Sequence, residues 1–363
     1  MDKQTHKRNS ESEQDIKAAR FCATLLDWYA SNGRDLPWRH TRSPYPIWLS
    51  EIILQQTRVS QGLTYWQRFI NTWPTIDALA AASEDEVLKL WQGLGYYSRA
   101  RNLHTAARQV VALGYFPKTL EGIKKLKGVG DYTAAAIASF AYGIKVAAVD
   151  GNAYRVLARL NGIDTPINTT DGKHLFSRLA NDLIQAVPSE GRSPWGEQGN
   201  GASLFNQAMM DFGATLCTPQ SPACLHCPFI EECEGYRHGT IDRLPMKINK
   251  TKITTRHLQY IYIRCKGYTA IHRRGKGDIW QGLWEPPVFE DESLPAWQGE
   301  LQLLASGVKH ILTHRILLAD FYLLKTDIRP TLSTDFQWIP ESQLPAYAVP
   351  RLVEKLIGTL LLQ

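Results

Sequence analysis

The chain has no apolar run long enough to span a membrane, and its first residues carry no apolar stretch of the kind a secretory signal needs. Both absences point to the cytoplasm. Cysteine is scarce and badly distributed for disulfides: Cys217, Cys224, Cys227 and Cys233 crowd together, while Cys22 and Cys265 stand far off as ordinary thiols. A secreted framework spreads its bridges more evenly, so a metal site is the better reading. A large excess of either charge is also missing. The 41 Lys and Arg exceed the 35 Asp and Glu by six, which permits a polyanionic partner but does not demand one. What is present is 44% hydrophobic residues in a chain of 363, enough for two or three domains and a sizeable core. Residues 1–15, polar and charged, read as disordered.

The stretch from Leu126 to Asn152, LKGVGDYTAAAIASFAYGIKVAAVDGN, holds the densest chemistry. Gly128 and Gly130 bracket one valine ahead of an alanine-rich run. Glycines there let the chain turn with positive φ and let another molecule's backbone come close. The run from Tyr132 to Tyr142 predicts a buried helix stopped by Gly143, and its first-turn N–H groups suit a phosphate. A short extended piece leads to Asp150-Gly151-Asn152 and a helix from Ala153 to Leu160. Asp150 reads as a helix N-cap or as a catalytic carboxylate. The two are compatible, because a helix N-terminus favours the ionised form.

Elsewhere the first helix is expected over 16–31, with Phe21, Leu25 and Trp28 at helical spacing. The loop Gly33 to Arg39 suits either a rigid pocket wall or a core tryptophan with surface arginines. Pro44 to Ile70 reads as one helical face, with Glu51 at the margin of its apolar stripe. A carboxyl there is either solvated or partly desolvated; in the second case its pKa rises toward neutrality, as a general acid requires. Two helices over 83–111 are joined by Gly93 to Tyr97, next to Arg99 and Arg101. The join is a tight turn with buried tyrosines or a surface for base stacking. Another helix over 172–187 and a Gly/Ser/Pro-rich loop from Pro188 to Gly201 precede FNQAMMDFGATLC. Four thiolates spaced C-x6-C-x2-C-x5-C then suit tetrahedral zinc or a [4Fe–4S] cluster. Residues 236–256 read as a polar linker. Beyond it the period shifts to alternation, with a hairpin signal at Lys266-Gly267, strand-like runs near Val308 to Leu312 and Ile316 to Leu324, and a closing helix.

Taken in order, LPWR, SEIILQQT, LWQGLGYYSRARNLH, GVGDYTAAAI, VDGN, FNQAMMDFG and the cysteine loop resemble the MutY-type adenine DNA glycosylases of the endonuclease III superfamily. GLWEPP at Gly282 to Pro287 resembles their Nudix-like C-terminal domain. The REuxEExG box of a working Nudix hydrolase is absent, so recognition rather than pyrophosphate hydrolysis is expected. The resemblance implies a multidomain protein. An all-α helix-hairpin-helix glycosylase region, 16–235, ends in an iron–sulfur cluster loop, and a linker, 236–256, leads to an α+β Nudix-like domain over 257–363.

The same resemblance assigns roles. Cys217, Cys224, Cys227 and Cys233 would hold a [4Fe–4S] cluster that is structural and positions DNA. Glu51 would protonate the departing adenine at N7, Asp150 would steady the oxocarbenium-like sugar, and Tyr132 would help position Asp150. Bifunctional relatives carry a nucleophilic lysine where this chain has Tyr132, so hydrolysis to an abasic site is expected. Arg34, Leu36 and Trp38 would wall the adenine pocket, with Gln207 and Asp211 bonding the base's exocyclic edge. Gln56, followed by Thr57, and Tyr96 would fill and wedge the duplex. Gly128 and Gly130, with Lys124, Lys125 and Lys127 before them, would take phosphates, and Asn152 belongs to VDGN. The family's Phe-Ser-His lesion-reading loop matches Ile311-Leu312-Thr313-His314. Thr313 keeps a hydroxyl that can bond 8-oxoguanine, His314 follows it, and Leu312 replaces Phe. The expected partner is double-stranded DNA with 8-oxoG·A or G·A mispairs, bound by a cytoplasmic, nucleoid-associated monomer. The competing readings are a bifunctional glycosylase–lyase and a non-catalytic iron–sulfur DNA-binding protein.

Overall fold

The computed structural model describes residues 2–196, 198–248, 253–290 and 292–361. The chain divides into two compact units, Met1–Gly62 with Gln109–Asn249 and Leu63–Arg108 with Lys250–Gln363. Among the described residues, no helix is long and apolar enough to cross a membrane.

The first unit is helical. Its opening helix, Asp2–Asn32, takes in residues expected to be disordered. The Glu, Gln, Lys and Arg of that stretch are good helix formers, and a helix already nucleated propagates at little cost. Phe21, Leu25 and Tyr29 recur every four residues and are buried, against Phe176, Ala180 and Ile184 of the Thr170–Gln185 helix and Phe205 and Met209 of the Gly201–Asp211 helix. Each such side chain contributes about 1.5–3 kcal/mol when fully removed from water. The single helix expected over Pro44 to Ile70 is broken in two, Pro44–Ile53 and Val59–Thr72. Apolar residues continue at helical spacing through the break, so the pattern alone hides it. The chain turns at Gln56, whose φ is +55°, while the neighbouring Gln55 donates to Thr133 Oγ1 at 3.2 Å.

The alanine-rich helix forms as expected, over Asp131–Tyr142, and ends at Gly143 with φ +69°. Its small side chains are buried and let the Pro44–Ile53 and Gly201–Asp211 helices approach closely. The loop expected over Pro188 to Gly201 contains a short hairpin, β1 (Glu190–Arg192) with β2 (Gln198–Asn200). Part of the expected linker packs back on this unit. Ile167 N donates to Met246 O at 3.0 Å and Ile248 N to Asn168 Oδ1 at 3.0 Å. Linker residues 249–252 lie outside the described residues.

The second unit combines helices with two sheets. The strands are β3 (Thr254–Arg264), β4 (Tyr268–Arg273), β5 (Trp284–Glu285), β6 (Val288–Glu290), β7 (Glu300–Ile311), β8 (Arg315–Lys325) and β9 (Phe336–Pro340). They form one sheet in the order β6-β3-β8-β7 and another in the order β5-β4-β9. The hairpin signal is correct as a turn: Lys266 and Gly267 have φ of +51° and +80°. The strands beyond it then diverge into different sheets. β3 pairs instead with β8, in parallel register from Thr254–Arg315 to Arg264–Lys325. Along β3, Leu258, Tyr260 and Tyr262 enter one core and Ile261 and Ile263 another, so the strand is buried on both faces. The closing helix, Arg351–Leu360, buries Leu352, Val353 and Leu356.

Leu63–Arg108 was expected inside a continuous region, 16–235, but groups with these strands. Polar contacts to the C-terminal residues account for it. Arg101 Nη1 donates to Gln281 O at 2.6 Å, Lys89 Nζ to Tyr347 O at 3.0 Å, and Gln92 Nε2 to Glu354 Oε1 at 2.5 Å.

Candidate active site

In the first unit a cavity of about 640 Å³ is lined by residues from five separate stretches of chain. They include Arg34, Leu36 and Trp38, then Glu51, Gln56 and Thr57, then Tyr132, then Asp150 and Asn152, then Gln207. Glu51 and Asp150 therefore face one common space, although 99 positions separate them.

Glu51 stands near the end of the all-round apolar Pro44–Ile53 helix and is 7% exposed. Burial pushes its carboxyl up to about 7. The Tyr132 hydroxyl, donating to Oε2 at 2.8 Å, pulls the other way; the Asp150 charge pushes it up and the Arg39 charge pulls it down. Tyr132 is expected to position Asp150, yet the carboxyl its hydroxyl bonds is that of Glu51. The reason is its place in the first turn of Asp131–Tyr142, a helix packed on the one that carries Glu51.

Asp150 is the N-cap of the Gly151–Leu160 helix. Its Oδ1 accepts the Ala153 N–H at 2.8 Å and its Oδ2 accepts Asn152 Nδ2 at 2.7 Å. The cap and cavity readings are both realised. The expectation that the helix terminus simply holds Asp150 ionised needs correction, because burial raises its carboxyl above the ordinary aspartate range against those hydrogen bonds. Asn152 is held in turn by Arg155 Nη2 at 2.8 Å, and Arg155 Nε donates to Cys217 O at 2.7 Å. Gly213, in the FNQAMMDFG stretch, makes this fit possible: a Cβ on it would lie 2.5 Å from that of Asn152.

Asp211 does not face the cavity. Its side chain is fully buried and accepts Arg34 Nε at 2.9 Å, Arg39 Nη1 at 2.7 Å and Arg39 Nη2 at 2.7 Å. Burial alone would raise this carboxyl, but the two arginines hold it below the usual carboxylate range. Through Arg34 and Arg39 it ties down both ends of the Arg34–Arg39 loop. Gln207 does line the cavity, with Oε1 accepting Tyr29 OH at 2.8 Å and Nε2 donating to Ser203 Oγ at 2.8 Å. Of the two readings of the Gly33 to Arg39 loop, Arg39 takes the pocket-wall one and is buried rather than at the surface; its pairing with Asp211 and its place near Glu51 carry no local signal.

At the hairpin, Gly128 has φ +77° and Gly130 is the N-cap, with no side chain closing the first turn. Asp131 stands in that turn where a phosphate is expected, but Lys124 Nζ reaches it at 2.9 Å. The four loop cysteines line one small apolar space with Leu216, Ile230 and Ile241. Arg159 Nη1 donates to Cys217 Sγ at 3.4 Å. Among the described residues, no group of three or more His, Cys, Asp or Glu side chains is arranged to hold a metal ion.

In the second unit, Tyr96 stands in the turn between the Glu84–Trp91 and Ser98–Leu113 helices, with φ +45° and 49% exposed. Its hydroxyl lies 2.7 Å from Thr313 Oγ1. A cavity of about 710 Å³ is lined there by Tyr96, Asp278, Trp280, His310, Thr313 and His314, among others. The structure thus brings Tyr96, Thr313 and His314 together.

Residues 49–181 match the family described as "HhH-GPD superfamily base excision DNA repair protein", and residues 259–359 match the NUDIX domain family. An adenine DNA glycosylase of Mus musculus is 41% identical over 257 residues, covering 66% of this chain and 47% of the mouse protein. The chain thus spans about half the length of that relative. Another, from Buchnera aphidicola subsp. Baizongia pistaciae, is 34% identical over 273 residues, 74% of each chain. Among solved structures, a thermostable thymine-DNA glycosylase is 31% identical with a TM-score of 0.54, covering 61% of this chain and 98% of that one. A non-covalent endonuclease III–DNA complex, 20% identical with a TM-score of 0.50 over 62% of this chain and 97% of that one, shares the fold.

Proposed function

The chain belongs to the adenine DNA glycosylase family, and on that premise we propose that it is a monofunctional glycosylase of base excision repair. It removes adenine mispaired with 8-oxoguanine or guanine and leaves an abasic site. The observation that carries this is the pair of carboxyls in one cavity of about 640 Å³, a volume that suits a nucleoside.

Breaking an N-glycosidic bond needs a proton on the leaving base and negative charge near the sugar. Glu51, pushed up to about 7, holds a proton at neutral pH and gives it to adenine N7. Asp150, bare and oriented by Ala153 N–H and Asn152, steadies the oxocarbenium-like sugar. Extruding the adenine costs about a few kcal/mol, recovered in part against Leu36 and Trp38. Gln56 and Tyr96 contact the duplex, and the open first turn after Gly130 takes a backbone phosphate. Thr313 and His314 read the base opposite adenine. Double-stranded DNA is the partner and a monomer the acting form.

Single-turnover assays on 8-oxoG·A duplex test the reading. Adenine release is expected without strand cleavage, and borohydride is expected to trap no protein–DNA adduct, because Tyr132 supplies no amine. Trapping would favour a glycosylase–lyase. Thymine release from G·T, without adenine release, would favour the activity named for the 31% identical thymine-DNA glycosylase.

Four thiols lining one apolar space, with the Arg159 charge beside Cys217, support a [4Fe–4S] cluster in the cysteine loop. Cys217, Cys224, Cys227 and Cys233 would hold it, and it would supply a rigid DNA-facing loop rather than redox chemistry. Metal analysis of purified protein is expected to find about four iron per chain and no stoichiometric zinc.

A further inference from the structure

The turn that carries Thr313 and His314 is short and open. It joins β7 to β8, Leu312 N donates to Arg315 O at 2.8 Å across it, and Ile311 beside it is 67% exposed. Thr254 N donates to His314 O at 3.1 Å, and the Tyr96 hydroxyl lies 2.7 Å from Thr313 Oγ1. Reading a base edge requires such a turn to be held to about half an ångström. The structure contains a further tie, at the end of the turn. Arg315, the first residue of β8, places Nη1 2.9 Å from Asp278 Oδ1.

Asp278 is itself unusually well anchored. It accepts Arg256 Nη1 at 2.8 and 2.9 Å, Arg274 Nη2 at 2.7 Å and the Ile279 N–H at 2.7 Å. The loop around it is closed by Arg274 N to Leu283 O at 2.9 Å and Gly282 N to Arg274 O at 2.9 Å. It carries Trp280 at φ +60°, a conformation that persists only where the surroundings over-determine it. The charges around Asp278 are not equivalent. Arg256 has a second carboxylate in Glu290, and Arg274 has one in the buried Glu285. Arg315 is ion-paired with Asp278. Asp278 also lines the cavity shared by Tyr96, Thr313 and His314.

We propose that Asp278 is a positioning residue for reading the base opposite adenine, acting through Arg315 to fix the turn that presents Thr313 and His314. This rests on the role given to that turn under the proposed function. The substitution Asp278→Asn leaves an oxygen for the Ile279 N–H and leaves Arg256 and Arg274 their other carboxylates. Its effect is concentrated on Arg315.

The test compares single-turnover adenine release from 8-oxoG·A and G·A duplexes for wild type, Asp278→Asn, Arg315→Gln, the double variant and Thr313→Ala, with thermal unfolding and salt-dependent duplex binding measured on each. Asp278→Asn and Arg315→Gln are each expected to lower the preference for 8-oxoG·A by about tenfold. The double variant is expected to lose no more than either single one, because both break the same tie. An unchanged preference in both, with Thr313→Ala lowering it, overturns the positioning role and leaves the reading of the turn intact. An unchanged preference in Thr313→Ala as well overturns the assignment of the turn itself. If Arg315→Gln weakens binding to both duplexes equally and reduces the salt slope, Arg315 is a phosphate contact and the proposal fails.

Discussion

Glu51→Gln is expected to slow adenine release in a single turnover by about 10²–10⁴-fold, the loss that follows removal of a positioned general acid. The same substitution is expected to make the protein more stable at pH 8. Glu51 is buried, and burial raises its carboxyl from the ordinary glutamate range to about 7. A folded-state value above the unfolded one means that the folded protein binds this proton more tightly. The associated stability is present below the ordinary glutamate value and is lost as pH rises through about 7. At 1.36 kcal/mol per pH unit the loss approaches roughly 3 kcal/mol by pH 8, an upper figure for one buried group. Glutamine has no proton to lose and still accepts the Tyr132 hydroxyl, so denaturant unfolding of the two proteins should coincide near pH 4, separate as pH rises toward about 7 and keep a constant gap above it. Tyr132→Phe supplies the converse. It removes the donor that favours the ionised carboxylate, so the descending limb of the pH–rate profile should move to higher pH. A Glu51→Gln protein that releases adenine at the wild-type rate would leave the cavity without its acid.

Asp211→Ala is expected to cost about 3–5 kcal/mol of stability, the penalty for stripping a buried charge of its partner. The Arg39 side chain is 6% exposed and directs two hydrogen bonds onto Asp211, so the substitution leaves a guanidinium inside with no carboxylate. The pH dependence runs opposite to that of Glu51. The arginines hold Asp211 below the ordinary aspartate range, so its contribution is present above that range and is lost as pH falls through the depressed value. Wild-type protein should therefore lose stability in acid faster than the alanine variant. Because Arg34 Nε also bonds Asp211 and Arg34 lines the cavity, adenine release should slow in whatever fraction folds. A change in unfolding free energy below about 1 kcal/mol would mean that water, not Asp211, satisfies Arg39.

Several features were legible because a few adjacent residues decide them. Gly128, Gly143 and Gly267 adopt the positive φ that glycine permits. The alanine-rich run became the buried helix its composition requires, and Asp150 capped the next one. At the margin of an apolar stripe Glu51 could be solvated or desolvated; the resemblance pointed to the second, and the structure buries it. The cysteine spacing brought its four thiols to one space. Less legible were the choices among distant partners. Nothing near Tyr132 says that its hydroxyl goes to Glu51 rather than to Asp150, since that depends on which helix face packs where. The resemblance places Asp211 at the base's edge, and nothing near it in sequence says that Arg34 and Arg39, more than 170 positions away, surround it.

The amino-acid sequence by itself determined which chemical groups this protein has to work with and where its chain turns, because dihedral preference and apolar periodicity act over a few residues. The tertiary structure alone decided that Glu51 is desolvated, where the Pro44–Thr72 stretch breaks, and that Leu63–Arg108 joins the C-terminal strands. Those outcomes depend on burial and on hydrogen bonds between residues far apart in the chain, whose free energies exist only once the elements have packed.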